Sequence, residues 1–164
     1  LAQRLVREGQ LRRLAHGLFV HPERSRFGEV PPTDEELMRA FLGGSDFVFT
    51  GPEHWNALGL GSTAVFAARL VYNAKRSGLF DFGGRRFLLR RVAFPTQPSP
   101  EWYVVDLFEN AAQAGVSPQD LAGALQRALP RGLLRKERLA AMAERYATKA
   151  NAALITAAIA EAGR

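Results

Sequence analysis

The chain has 164 residues, a formal charge of +6 and no cysteine, with a pI of about 10.5. That length fits one domain, or a small module beside a larger one, and can bury a sizeable core without covalent staples, while the missing cysteines exclude a disulfide framework, a thiolate zinc site and cysteine catalysis. A hydrophobic share of 47% against 23% charged residues excludes a disordered chain, and the basic excess fits either a polyanionic partner, nucleic acid foremost, or a solvated basic surface.

Residues 1–8 place Leu1, Leu5 and Val6 at helical spacing, with Gly9 as the stop. Residues 11–14 are expected to be extended. Ala15-His16-Gly17 makes a turn, and 18–20 form a second short strand that ends at Pro22. Residues 23–32 are polar and carry Gly and Pro, and are expected to be a linker. Thr33 and Glu36 form a capping box for a helix burying Leu37, Met38, Phe41 and Leu42, which Gly43-Gly44 ends. A short apolar strand at 47–49 and a short helix at 51–60 follow.

Strands are expected at 69–74, 78–82 and 85–94, with Gly83-Gly84 as a hairpin turn. The last third is helical. Ser99-Pro100 and Ser117-Pro118 each start a helix with proline at the first position, where its missing N–H would have no partner. The first carries Val105, Phe108 and Ala112 on one face, and the second carries Leu121, Leu125 and Leu129 and ends at Pro130. Two more helices carry Leu139, Met142 and Tyr146, then Leu154, Ile155 and Ile159. The fold class is therefore α+β, with a small antiparallel sheet within 47–94 and a helical bundle within 100–162. No secretory signal is visible. The most apolar stretch, 150–160, is about a dozen residues, short of the ~18–20 that span a bilayer. A cytoplasmic protein is expected.

Four groups of residues could carry function. Arg4, Arg7, Arg12, Arg13 and His16 crowd a helix end and a two-stranded ribbon. In a winged helix-turn-helix the recognition helix enters the major groove and the hairpin wing lies against the backbone or minor groove, which calls for cations and a tight loop at the tip. A solvated hairpin with scattered arginines is the plainer account. Lys75, Arg76, Arg85, Arg86, Arg90 and Arg91 form a second cluster, offset locally only by Asp81. Strand alternation sends Arg85 and Arg86, and likewise Arg90 and Arg91, to opposite faces. The cluster is either a basic surface for nucleic acid or an acidic protein, or charge that protects an edge strand. Gly59-Leu60-Gly61-Ser62-Thr63-Ala64 imitates a dinucleotide fingerprint, but no strand precedes it and no helix follows, so a turn into the strands is expected.

The three histidines, His16, His21 and His54, lack metal-pair spacing. Asp106 and Glu109, about a turn apart, are expected on a solvated helix face. No enzyme chemistry, cofactor or metal is expected. The positive charge is expected to concentrate in the hairpin and the strand cluster.

Residues 5–20, from Leu5-Val6-Arg7-Glu8-Gly9 through Arg12-Arg13-Leu14-Ala15-His16-Gly17 to Phe19, resemble the recognition-helix end and wing of AbiEi-type antitoxins. Residues 49–60, containing Gly51-Pro52-Glu53-His54-Trp55 and Leu58, are similar to that family's short helix ahead of its strands. The resemblance covers roughly the first half of the chain. It implies a winged-helix DNA-binding module at 1–24, with the helices expected before it missing from this truncated chain, and an antitoxin-type domain at 33–164. It implies repression of the pair's own promoter through inverted repeats. It also implies counteraction of a nucleotidyltransferase-like toxin, in type IV pairs whose members need not form a stable complex. Arg4, Arg7, Arg12, Arg13 and His16 fall on the positions implied to contact DNA.

Overall fold

The computed structural model describes the backbone of residues 2–7, 12–15, 18–20, 23–25 and 28–164, and the side chains of 3, 4, 7 and 28–164. Helix α1 spans Ala2–Arg7. Strands β1 (Arg12–Ala15) and β2 (Leu18–Val20) pair antiparallel, with Arg12 opposite Val20 and Arg13 opposite Phe19. The expected linker is different: β3 (Glu23–Ser25) and β4 (Gly28–Val30) form a second antiparallel pair. Three-residue strands are too short to display an alternating pattern, so composition alone reads as a loop there.

Helix α2 (Asp34–Phe41) starts where Thr33 accepts a hydrogen bond from Glu36 N–H at 3.1 Å. Asp34, Glu35 and Glu36 sit at its positive end. Its buried residues, Leu37 and Met38, with Leu42 just beyond, face a sheet. That sheet holds β5 (Phe47–Thr50), β6 (Arg69–Asn73), β7 (Gly78–Phe82) and β8 (Arg85–Arg91) in the order β5-β6-β8-β7. The β7–β8 hairpin turns on Gly83 and Gly84, whose φ angles of 65° and 92° suit glycine.

The sheet is mixed, not antiparallel as expected, because β8 pairs parallel to β6 while β5–β6 and β7–β8 are antiparallel. The reason lies in the side chains. Strand β8 carries apolar residues to both faces, Phe87 and Leu89 to one and Leu88 to the other, so it belongs in the interior. Strand β7 leaves Leu79 61% exposed and takes the edge.

Each face of the sheet has its own core. Val71, Phe82, Phe87 and Leu89 pack with α2. Val48, Leu70 and Tyr72 pack on the other side with Trp55 of α3 (Pro52–Ala57) and with α4 (Pro100–Glu109). Ser99 caps α4, and Trp102, Val104, Val105, Leu107 and Phe108 of that helix are all buried. Ala112 lies past the end of α4 and is exposed, so it does not share the Val105–Phe108 face. Around α4 stand α5 (Pro118–Ala128), α6 (Lys136–Tyr146) and α7 (Lys149–Ala162), with α4 against α6 and α7 against α5 and α6. A 3₁₀ turn, Leu129–Arg131, carries Pro130 and follows α5 directly. Among the described residues no helix is long and apolar enough to cross a membrane.

Candidate functional site

At the amino-terminal end, α1 presents Arg4 and Arg7 to solvent one turn apart, on one side of the helix. The β1–β2 ribbon follows, with Arg12 and Arg13 in β1. The side chains of Arg12 and Arg13, and all of His16 and His21, lie outside the described residues.

The strand cluster does not form one surface. Strand β8 is interior, so its arginines do not protect an edge. The Arg85 guanidinium reaches Asp34 at 3.2 Å and the Pro32 carbonyl at 2.5 Å, which ties β8 to the start of α2. Arg76 lies over the Phe41 ring at 4.4 Å, also on the α2 side, and Lys75 reaches over Gly43. Arg90 points the other way and donates to Asn110 Oδ1 at 2.7 Å. Arg86, 3.8 Å from Asp81, and Arg91 remain exposed on opposite faces. The alternation expected at 85–86 and 90–91 therefore holds, and it disperses the charge.

Gly59–Gly61 is a turn after α3, and residues 62–68 are irregular before β6 begins, so no helix follows the glycines. Asp81 is not at that turn. Its carboxylate accepts from Gly84 N–H at 2.8 Å in the β7–β8 hairpin.

Asp106 and Glu109 overturn the expectation of a solvated helix face. Asp106 is 4% exposed and sits where α4 crosses the sheet. Its Oδ2 accepts from Thr50 Oγ1 at 2.5 Å and from Trp55 Nε1 at 2.9 Å. Its Oδ1 accepts from Tyr72 OH at 2.6 Å and, more distantly, from Asn110 Nδ2 at 3.2 Å. Asn110 Nδ2 also donates to the Asp106 carbonyl at 2.7 Å and to Tyr72 OH at 3.0 Å. The network thus joins β5, α3, β6, β8 and α4. Burial pushes the Asp106 carboxyl above the ordinary carboxylate value, and the Thr50, Tyr72 and Trp55 hydrogen bonds pull it back. Burial, reinforced by the facing Asp106, pushes the Tyr72 phenol far above its usual range.

The other α4 carboxylates hold helix starts. Glu101, 3% exposed, accepts from Arg135 N–H at the start of α6. Glu109 accepts from Thr148 N–H and Oγ1 and from Asn151 Nδ2, at the start of α7. Carboxylates are favoured at such positive helix ends. Among the described residues no group of three or more acids and histidines is placed to hold a metal ion.

His54 stacks on Tyr103, with 4.3 Å between ring centroids and 2° between planes. Its Nε2 is buried without a partner among the described residues. Burial lowers its pKa from 6.5, with Glu53 opposing the shift and Arg69 adding to it. Burial also pushes the Tyr103 phenol up to about 12. Because the fold disfavours the imidazolium, His54 contributes stability that is complete above about pH 6.5 and is lost as pH falls through its lowered folded-state pKa. His54→Phe keeps a ring on Tyr103 and removes the titration. The urea midpoint of this variant is expected to fall less between about pH 7 and about pH 5 than that of the parent chain. Equal falls would show that His54 does not titrate differently in the two states.

Composition conceals Thr50, Trp55, Tyr72 and Asn110. Their signal is positional: Thr50, Tyr72 and Arg90 occupy one face of apolar strands, and Asp106 and Asn110 recur four residues apart in an apolar helix. Outside the two expected clusters, eight of the 22 Lys and Arg residues lie between Pro118 and Arg164, with four acids among them. Comparison with protein-family models, curated proteins and solved structures finds no match to this chain.

Proposed function

We propose that this chain is an antitoxin-type transcriptional regulator. In this reading α1 and the β1–β2 hairpin engage duplex DNA of its own promoter as a recognition-helix end and wing, and residues 33–164 counteract a nucleotidyltransferase-like toxin. The observation that carries the DNA half is the succession of α1 and an antiparallel hairpin, with Arg4 and Arg7 exposed one turn apart. A helix followed directly by a short basic ribbon suits a groove-bound helix with a phosphate-bound wing. The antitoxin half rests on the sequence resemblance at residues 5–20 and 49–60.

Fluorescence anisotropy with the full chain and a duplex from its own upstream region tests the DNA half across a salt series. Arg12→Ala and Arg13→Ala are each expected to reduce the slope of log affinity against log salt by about 0.9, one phosphate contact each. A parent slope near zero, or no binding at low salt, would overturn it. Coexpression with a neighbouring nucleotidyltransferase gene tests the antitoxin half. Growth restored by residues 33–164 is expected, and growth arrest that the full chain fails to relieve would overturn it.

A further inference from the structure

The C-terminal helices carry cations that the fold leaves unpaired. Arg127, Arg131, Arg135, Lys136 and Arg138 fall within twelve residues that hold one acid, Glu137. Lys136 is half-buried and the other four are exposed. None of the five makes a salt bridge among the described residues. They gather at the corner where α5 passes into α6 through the 3₁₀ turn and Gly132, whose φ is 79°.

The corner is also concave. A cleft of about 410 Å³ has Gly59, Leu60 and Gly61 along one wall and Arg127 and Arg131 along the other. The two arginines are four residues apart across the end of α5, which sets them on one side. Gly59 and Gly61 have φ angles of 71° and 95°, and a Cβ at either would meet nothing within 4 Å. The turn is therefore open, so a ligand can come close to its backbone. Asp120 is the one acid on the rim. With two arginines against one acid the cleft is net positive, and low-dielectric walls focus that field on an approaching anion.

The number of cations decides between a small anion and a polymer. Arg127 and Arg131 suffice for a single phosphate in the cleft. Arg135 and Arg138, three residues apart on one side of the start of α6, lie outside it, where only a ligand with phosphates in series would reach them, while the Lys136 ammonium turns towards Gly163 at the end of α7. Leu133, 81% exposed between Arg131 and Arg135, offers an apolar contact to a sugar or base edge. We propose that this corner binds the phosphate backbone of a nucleic-acid strand, with one phosphate held by Arg127 and Arg131 against the Gly59–Gly61 turn and its neighbours taken by Arg135 and Arg138. The surface uses no residue of α1 or the hairpin, so the proposal stands without the promoter reading.

The test uses the full chain and a fluorescein-labelled oligonucleotide of about 20 nucleotides, single-stranded and as a duplex, across a salt series. Arg127→Ala with Arg131→Ala is expected to weaken binding at low salt about tenfold or more. It is also expected to reduce the salt slope by about 0.7 on the single strand and about 0.9 on the duplex, one phosphate in each case. Arg135→Ala with Arg138→Ala should reduce it further. Arg39→Ala, which removes an exposed cation paired with Glu35, is expected to leave both readings unchanged. Parent-like affinity and slope in the corner variants, including the case where Arg12→Ala with Arg13→Ala alone abolishes binding, overturns the proposal. Adenosine monophosphate or inorganic phosphate bound as tightly as the oligonucleotide also overturns it, in favour of a small-anion site. An unchanged melting temperature establishes that the variants fold, and Arg127→Gln with Arg131→Gln replaces any that do not.

Discussion

Asp106→Ala is expected to destabilise the protein by about 3–5 kcal/mol, the cost of leaving several buried donors without their shared acceptor. For a chain of this size that is a fall in melting temperature of roughly 6–20 °C. The loss does not come from the small cavity alone, because the hydroxyls of Thr50 and Tyr72 and the indole N–H of Trp55 keep their places after the carboxylate has gone. Each becomes a buried polar group without its acceptor, at about 1–3 kcal/mol. Asp106→Asn should recover little, since one oxygen that accepts becomes an amide that donates. Tyr72→Phe, which removes a single donor, is expected to cost about 1–2 kcal/mol. The double variant Asp106→Ala with Tyr72→Phe should cost less than the sum of the two, because the partners stand in contact. Urea denaturation monitored by circular dichroism measures all four. A loss below about 1 kcal/mol for Asp106→Ala would mean that water satisfies the stranded donors, and additive losses would mean that the network is not coupled.

Trp102→Ala is expected to cost about 3–5 kcal/mol for a different reason, the void left by a large ring in a packed interior. Trp102 is 2% exposed and lies in the first turn of α4. Its ring meets Tyr72 edge-on at 5.9 Å and Tyr103 at 5.1 Å. Truncation therefore removes contacts to β6 and to the ring on which His54 stacks. Trp102→Phe restores part of the volume and should recover about half of the loss. Similar stability for the alanine and phenylalanine variants would show that the site collapses around the missing ring.

The local chemistry of the chain makes much of the fold legible. Thr33, Ser99 and Ser117 each accept the helix-starting hydrogen bond expected of them, and Gly83-Gly84 turns the hairpin between β7 and β8. These signals act over three or four residues. The pairing of β8 with β6 does not, because it depends on which strand of a hairpin can bury both faces against layers far away in sequence. Asp106 escapes a composition-based reading for a related reason. Acidic type suggests solvent, whereas its apolar neighbours Val104, Val105, Leu107 and Phe108 describe a helix buried on nearly all sides. The hairpin order at 12–20 was legible, and the cations of the C-terminal helices were not, because a charge run between amphipathic helices looks like any solvated corner.

Glu101, Asp106 and Glu109 make α4 the common support of three partners, the start of α6, the sheet, and the start of α7. Loosening any one contact loosens the element that holds the other two. Amide hydrogens of the sheet and of the bundle are thus expected to exchange through the same global opening, without a lower-energy step that frees either layer alone. The layers form one unit of cooperativity, and a cut between β8 and α4 would leave two pieces that each lack a wall.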